Sequence, residues 1–268
     1  MSIDTEKCGL ITLTLVGIST LLTFFLFDRV PQDAGYHSFS DVKTYFSIPN
    51  TLNVLSNIPF LFVGISGLLS LRKSIRPALI VESNLLAYRI LFFGVALTGV
   101  GSSYYHLSPS NETLVWDRLP MTLAFMALYS IIISEFVSEE KGKSLLFPLV
   151  FFGLCSVLYW WYTEQHEVGD LRYYAVVQFF PIFTIPIILL FFKSKYTSAS
   201  GYWVLLGFYI IAKLFEHFDT QVHQSLMFVS GHSIKHVLPA IGLYILMENY
   251  RSRNLQAYRP PTILPSPL

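Results

Sequence analysis

The sequence has few charged residues and few cysteines. Asp, Glu, Lys and Arg make up 13% of its 268 residues, about half of the roughly 25% that is typical of soluble domains. The two cysteines, Cys8 and Cys155, both lie in apolar stretches, so no disulfide framework is expected. The formal net charge is +1, and no basic patch is dense enough to bind nucleic acid. These absences argue against a soluble domain, a disulfide-rich secreted domain and a nucleic-acid-binding protein.

Long apolar runs dominate the sequence instead. Hydrophobic residues make up 53% of the chain and aromatic residues 16%, and the mean hydropathy is +0.53. A helix that spans a membrane needs about 20 mostly apolar residues. Eight runs meet this requirement: 8–27, 51–71, 87–107, 114–135, 144–162, 173–192, 201–219 and 227–248. The sequence therefore predicts an all-α fold, a polytopic bundle of membrane helices.

The distribution of Lys and Arg predicts the orientation of this bundle. Basic residues are concentrated in alternate connections and in the C-terminal segment, whereas the other connections hold only Arg29, Lys43 and Arg172. An excess of Lys and Arg marks cytoplasmic segments, so we expect both termini to be cytoplasmic. The apolar run within residues 1–27 is longer than a signal-peptide core and has no cleavage site, which predicts an uncleaved membrane anchor. Residues 251–268 are basic and Pro-rich and predict a disordered cytoplasmic tail.

Five polar residues are expected to converge at one end of the bundle. His232 and His236 are four positions apart, so they share a helix face. Ser102 and His106 have the same spacing at the end of the third span, and Asp117 lies one turn into the fourth. On the predicted topology all five lie at non-cytoplasmic ends of their spans. The connection at 220–226 faces the same side.

Three imidazoles, a carboxylate and a hydroxyl suit a zinc site with an open coordination position. Separate structural roles are the alternative: a histidine in a packing contact, Ser102 bonded to its own helix, or Asp117 paired with Arg118. Ionisable groups are costly inside a membrane, and their coincidence in one layer favours a common function.

The motifs "SSYYH", "WDRLP" and "HSIKH" resemble those of the alkaline ceramidase family, part of a superfamily of seven-span membrane hydrolases that includes adiponectin-receptor-like proteins. The resemblance covers roughly residues 35–250, with "NTLNVLSNIPF" matching the first core span. It implies a seven-span core preceded by one extra N-terminal span. Residues 1–27 would be the anchor, and 28–250 the catalytic domain.

By the same resemblance, His106, His232 and His236 hold zinc, while Asp117 and Ser102 attend the reactive water. Animal members of the family also have an acidic calcium site before the first core span. The corresponding stretch here offers Asp41 and Asn50, with Asp33 upstream, so Ca²⁺ has weak support.

The expected function is zinc-dependent cleavage of ceramide-type lipids into a sphingoid base and a fatty acid. The alternative is a seven-span lipid sensor with the same metal site and little hydrolase activity. A transporter is disfavoured because it needs a polar path across the membrane. The expected partners are a ceramide-type lipid and the bilayer, with no nucleic acid. The host would be an ER- or Golgi-type membrane in a eukaryote, or the inner membrane in a bacterium. The oligomeric state is not determined by the sequence.

Other polar and small residues in the spans have expected structural roles. Lys235, between two of the histidines, is expected to pair with a neighbouring acid. The end of the seventh span carries charged residues that are expected to pair among themselves beside the site: Lys213, Glu216, His217 and Asp219. Asn53 and Asn57 are expected to form hydrogen bonds between helices, and glycines of the third span, Gly94, Gly99 and Gly101, to permit close helix approach.

Overall fold

The computed structural model describes residues 3–72 and 80–254. This part of the chain contains two short 3₁₀ turns and ten α-helices: α1 (Ile3–Leu26), α2 (Thr51–Leu55), α3 (Ile58–Ser70), α4 (Leu85–Leu107), α5 (Asn111–Phe136), α6 (Glu139–Gln165), α7 (Arg172–Phe191), α8 (Ser200–His217), α9 (Asp219–Leu226) and α10 (Gly231–Ser252). The described residues form no β-sheet.

Among the described residues, six helical segments are long and apolar enough to cross a membrane: Asp4–Leu26, Thr51–Ser70, Glu82–Leu107, Asn111–Phe136, Glu139–Gln165 and Arg172–Phe191. They coincide with the first six predicted spans. The last two apolar runs form α8 and α10, whose polar residues include Lys213 and Lys235. The prediction of an all-α membrane bundle is confirmed, and the total of eight spans stays a prediction.

The second predicted span, 51–71, is not one continuous helix. It is divided into α2 and α3 at Ser56 and Asn57. Pro59 lies in the first turn of α3, where its missing N–H leaves no helical hydrogen bond unmade. The break lies where Ser56 approaches His236 of the last helix.

The segment 220–226 was predicted as a connection, but it belongs to the short helix α9. The helix of the last predicted span, α10, therefore begins at Gly231, whereas the span was predicted to begin at residue 227. The boundary is set by Ser230, whose side chain accepts a hydrogen bond from Ser233 N–H and caps the start of α10. Such a cap satisfies a backbone donor that the first turn leaves unpaired. Met227, which has a left-handed backbone, ends α9.

Glycines bring α4 against α5 and α10 against α8. A Cβ atom on Gly101 would stand 2.0 Å from the carbonyl oxygen of Trp116, and one on Gly231 would stand 2.2 Å from that of Phe215. Gly94 is similarly close to the backbone of Ala124. Only glycine permits such backbone approach, because it has no Cβ. The predicted role of the α4 glycines is confirmed, and these contacts gather the helix ends that carry the candidate site.

The N-terminal helix α1 packs on α7. Arg172, at the start of α7, donates hydrogen bonds to the carbonyl oxygens of Phe24 and Phe27 at the end of α1. Its guanidinium also forms an ion pair with Asp170, with Nη2 and Oδ2 2.9 Å apart. Burial raises the pKa of Asp170, but the hydrogen bonds from Arg172 lower it more, so the pKa lies below its usual range. The ion pair fixes the arginine that caps α1.

A buried ion pair closes the opposite end of the bundle from the histidines. Arg253 donates to both carboxylate oxygens of Glu135, at 2.8 and 2.6 Å, and neither side chain is exposed. Tyr88 O–H donates to the same carboxylate at 2.6 Å. The predicted disordered tail therefore cannot begin at residue 251, because α10 continues to Ser252 and Arg253 is packed inside. Residues 255–268 of that predicted tail lie outside the described residues.

Candidate metal centre

The structure brings the three predicted metal ligands together. His106 lies in the last turn of α4, and His232 and His236 lie in the first two turns of α10. All three are buried, and one ring nitrogen from each lies within 4.8 Å of the others. Nε2 of His106 and Nε2 of His232 are 3.3 Å apart. This trio could hold a metal ion.

A serine orients one of these imidazoles. Ser56 Oγ donates its hydrogen to the carbonyl oxygen of Asn53 at 3.0 Å and lies 2.8 Å from Nδ1 of His236. A hydroxyl that donates to this carbonyl accepts from Nδ1–H of His236. That arrangement leaves the lone pair of Nε2 for a metal. Nothing in the local sequence distinguishes Ser56 from other serines in apolar segments.

The segment before α2 covers the other two histidines. The ring of Phe39 lies 4.3 Å from that of His232 and 4.7 Å from that of His106, measured between centroids. Asp219 fixes this cover: one carboxylate oxygen accepts the backbone N–H of His232 at 2.7 Å and the other accepts that of Ser40 at 2.9 Å. Asp219 was marked in the sequence, but its partners lie on segments far apart in the chain. Together these contacts shield the cluster from water on one side.

Asp117 and Ser102 lie beside the histidines. Both residues line the same cavity as His236, and Ser102 is buried. Arg118 has other partners: Nη2 donates to Gln32 Oε1 at 2.6 Å, and the guanidinium stacks 4.1 Å from the Trp160 ring centroid. The five residues singled out in the sequence are therefore gathered at one end of the bundle.

The cavity has a volume of about 400 Å³ and lies between α4, α5, α7, α8 and α10. Its polar end contains Ser102, Asp117 and His236. The rest of its wall is mainly apolar and includes Leu91, Phe125, Ile132, Ile185, Leu205 and Leu243. A cavity with a few polar residues and a mainly apolar wall is suited to an amphipathic lipid.

Of the charged residues expected to pair at the end of α8, Lys213 and Glu216 do so, and Lys235 joins them, whereas Asp219 accepts the backbone N–H groups described above. Nζ of Lys235 lies 2.6 Å from Glu216 Oε1, and Nζ of Lys213 lies 2.7 Å from Glu216 Oε2. All three side chains line the cavity. Asn53 also forms the predicted contact between helices, since its Oδ1 accepts from Ser233 in α10 at 2.7 Å.

The residues considered for calcium do not form a site of their own. Asp33 accepts the backbone N–H of Gly35, Asp41 accepts that of Lys43, and Asn50 donates to the carbonyl oxygen of His106. Within residues 3–72 and 80–254, the histidine trio is the group of three or more His, Cys, Asp or Glu side chains close enough to share an ion. The weak expectation of Ca²⁺ gains no support.

Comparison with known proteins agrees with this arrangement. No curated protein matches the chain. A family model described as Ceramidase matches residues 42–257, which is most of the chain and includes the histidine trio, Asp117 and Ser102. The chain therefore belongs to the ceramidase family and is a membrane hydrolase of the amide bond of ceramide.

Proposed function

We propose that this protein is a zinc-dependent hydrolase that cleaves ceramide-type N-acyl sphingoids into a sphingoid base and a fatty acid. The observation that carries the proposal is that a buried trio of histidines adjoins an apolar cavity through His236, and that Asp117 and Ser102 line the same cavity. The trio supplies ligands, the acid supplies a site for proton transfer, and the cavity supplies room for a lipid.

The donor atoms and their spacing fit zinc. Two imidazole ligands at Zn–N distances of about 2.0–2.1 Å, arranged tetrahedrally, stand roughly 3.3–3.4 Å apart. The Nε2 atoms of His106 and His232 are 3.3 Å apart, and His236 presents Nε2 because Ser56 engages its Nδ1. Three neutral imidazoles are a common ligand set for catalytic zinc.

The residues around the trio supply the remaining chemistry. Zinc, when bound, lowers the pKa of water and polarises a carbonyl group. Asp117 accepts the proton of the attacking water and delivers it to the nitrogen as the C–N bond breaks. Ser102 lines the same cavity as Asp117, and its O–H can donate to the developing oxyanion.

The cavity matches the shape of the proposed substrate. Ceramide places its amide between a polar headgroup and two hydrocarbon tails, and the cavity combines His236 and Asp117 with a mainly apolar wall. We propose that residues 28–250 form the seven-span catalytic unit, with 1–27 as an additional anchor. We also propose that the site opens toward the non-cytoplasmic face, with both termini in the cytoplasm.

The test replaces Asp117 by asparagine and measures zinc content and ceramide hydrolysis on the same preparation. Asparagine preserves the size of the side chain but cannot take up the proton, so turnover should fall by about 10²–10⁴-fold while most of the zinc remains. His106→Ala should lose zinc and turnover together. Asp28→Asn, an exposed acid outside the cavity, is the matched control.

Three results contradict the proposal. Equal zinc content in wild type and His106→Ala would contradict the metal site. Turnover at the wild-type rate in a zinc-loaded Asp117→Asn protein would contradict the role of Asp117 as the base. If zinc-loaded wild type cleaves no ceramide of any chain length, the lipid-sensor alternative replaces the hydrolase.

A further inference from the structure

A pair of lysines lies in the cavity next to the metal centre, and the mechanism above does not use them. Lys213 and Lys235 both bond to Glu216, one to each carboxylate oxygen. We call these three residues the lysine triad. Lys235 directly precedes the ligand His236 in α10, and all three side chains of the triad line the same cavity as His236 and Asp117.

The lysine triad carries one positive charge in excess. Two ammonium groups share one carboxylate, and each ammonium has three N–H donors, of which Glu216 takes one. The Lys235 side chain is 16% exposed and that of Glu216 is 20% exposed, so water screens this charge only partly. A cationic, donor-rich group inside an apolar cavity favours an anion with several acceptor oxygens.

The proposed reaction creates such an anion in this cavity at every turnover. Hydrolysis adds water to the amide, breaks the C–N bond and releases a fatty acid, which ionises to a carboxylate, and an amine, which takes up a proton. The excess positive charge of the triad attracts the carboxylate and repels the ammonium. Because carboxylate and ammonium leave the same cavity, the charge of the triad also influences the order in which they leave.

We propose that the lysine triad is a carboxylate subsite that retains the fatty-acid product after the sphingoid base has left. The identity of this anion rests on the proposed function. A phosphate on the headgroup of an N-acyl lipid would present the same acceptor chemistry, so the experiment includes an alkyl phosphate to separate the two sources. The fatty acid is then the last product to leave and a competitive inhibitor of the enzyme.

The experiment measures binding of hexadecanoate to the purified full-length protein, with zinc and after chelation of zinc. Lys213→Gln and Lys235→Gln should each weaken binding by about ten- to a hundredfold, because each removes a charge-assisted hydrogen bond. Glu216→Gln should tighten it, since both ammonium groups lose their competing carboxylate. Hexadecanol and hexadecylamine have the same hydrocarbon chain. The substitutions should change their binding only weakly or in the opposite direction.

A purely structural role for the triad predicts a different pattern, in which all three substitutions weaken binding together. That pattern would overturn the subsite. The subsite would also be overturned if binding of an alkyl phosphate depended on the lysines and binding of hexadecanoate did not. Lys195→Gln is the matched control, because Lys195 pairs with Glu139 on the surface and does not line the cavity. Zinc content is measured for Lys235→Gln, which adjoins a ligand.

Failure of the subsite and failure of the proposed function give different results. If the protein cleaves ceramide but the lysine substitutions do not change hexadecanoate binding, the subsite is contradicted and the hydrolase is supported. If hexadecanoate binding depends on the lysines but the protein cleaves no ceramide, the subsite is supported and the hydrolase is contradicted.

Discussion

Replacing Ser56 by alanine is expected to weaken metal binding while leaving the helical bundle folded. The serine hydroxyl is the group that holds Nδ1 of His236, at 2.8 Å. Without it the imidazole can rotate, and its proton is no longer confined to Nδ1. Both changes reduce the fraction of molecules in which Nε2 presents a lone pair to the metal.

The size of the effect follows from this contact. Loss of a hydrogen-bond partner behind a metal-ligating histidine typically lowers metal affinity about 10- to 100-fold, which corresponds to about 1.4–2.7 kcal/mol of binding free energy. The bond from Ser56 to Asn53 is also lost, but a single neutral hydrogen bond contributes only about 1 kcal/mol to folding. Binding should therefore change more than stability.

The assay is a competition titration of zinc between the purified protein and a chromophoric chelator, with thermal unfolding of the zinc-free protein measured in parallel. Ser56→Thr keeps a hydroxyl and should retain most of the affinity. Ser103→Ala is the matched control, because Ser103 bonds only to backbone carbonyl oxygens of Val54 and Gly99. Zinc affinity in Ser56→Ala within twofold of wild type would refute the role of this hydroxyl.

Two further predictions concern helix packing. In Gly101→Ala the new methyl group would meet the Trp116 carbonyl oxygen at 2.0 Å, so the free energy of unfolding should fall by about 1–3 kcal/mol and turnover should be lost. Gly17→Ala is the control, because a Cβ atom there meets nothing within 4 Å. Equal stability of the two variants would contradict the close approach. Arg253→Met leaves the Glu135 carboxylate buried without its partner and should reduce the free energy of unfolding by about 3–5 kcal/mol, measured by denaturation in detergent. Adding Glu135→Gln should recover part of the loss, and no recovery would show that the pairing is not its cause.

Much of the fold and the main site residues could be predicted from the sequence. Apolar runs predicted most helices because a membrane requires long uninterrupted hydrophobic segments. The histidines and Asp117 stood out because ionisable groups are rare in such runs. Spacing placed His232 and His236 on one helix face, and the placement of Lys and Arg assigned His106 to the same end.

Contacts between distant segments could not be predicted in this way. Ser56 lies 180 positions from His236, and nothing in its local sequence distinguishes it from other serines in membrane helices. Phe39 and Asp219 similarly act through segments that meet only in the folded protein. The start of the last helix was misplaced for another reason: Met227 and Phe228 are apolar yet exposed, so hydropathy extended the helix past the cap.

The ion pair between Glu135 and Arg253 has a consequence for biosynthesis. The two residues are 118 positions apart, so Arg253 is made well after Glu135. At roughly 5–20 residues per second, translation of the intervening chain takes about 6–24 s. During that interval α5 has already been synthesised, while the carboxylate of Glu135 lacks the arginine that neutralises it in the finished protein. The end of the bundle that holds Glu135 thus reaches its final packing only after Arg253 has been made, and a truncation before Arg253 is expected to yield a nascent protein that quality-control proteases recognise.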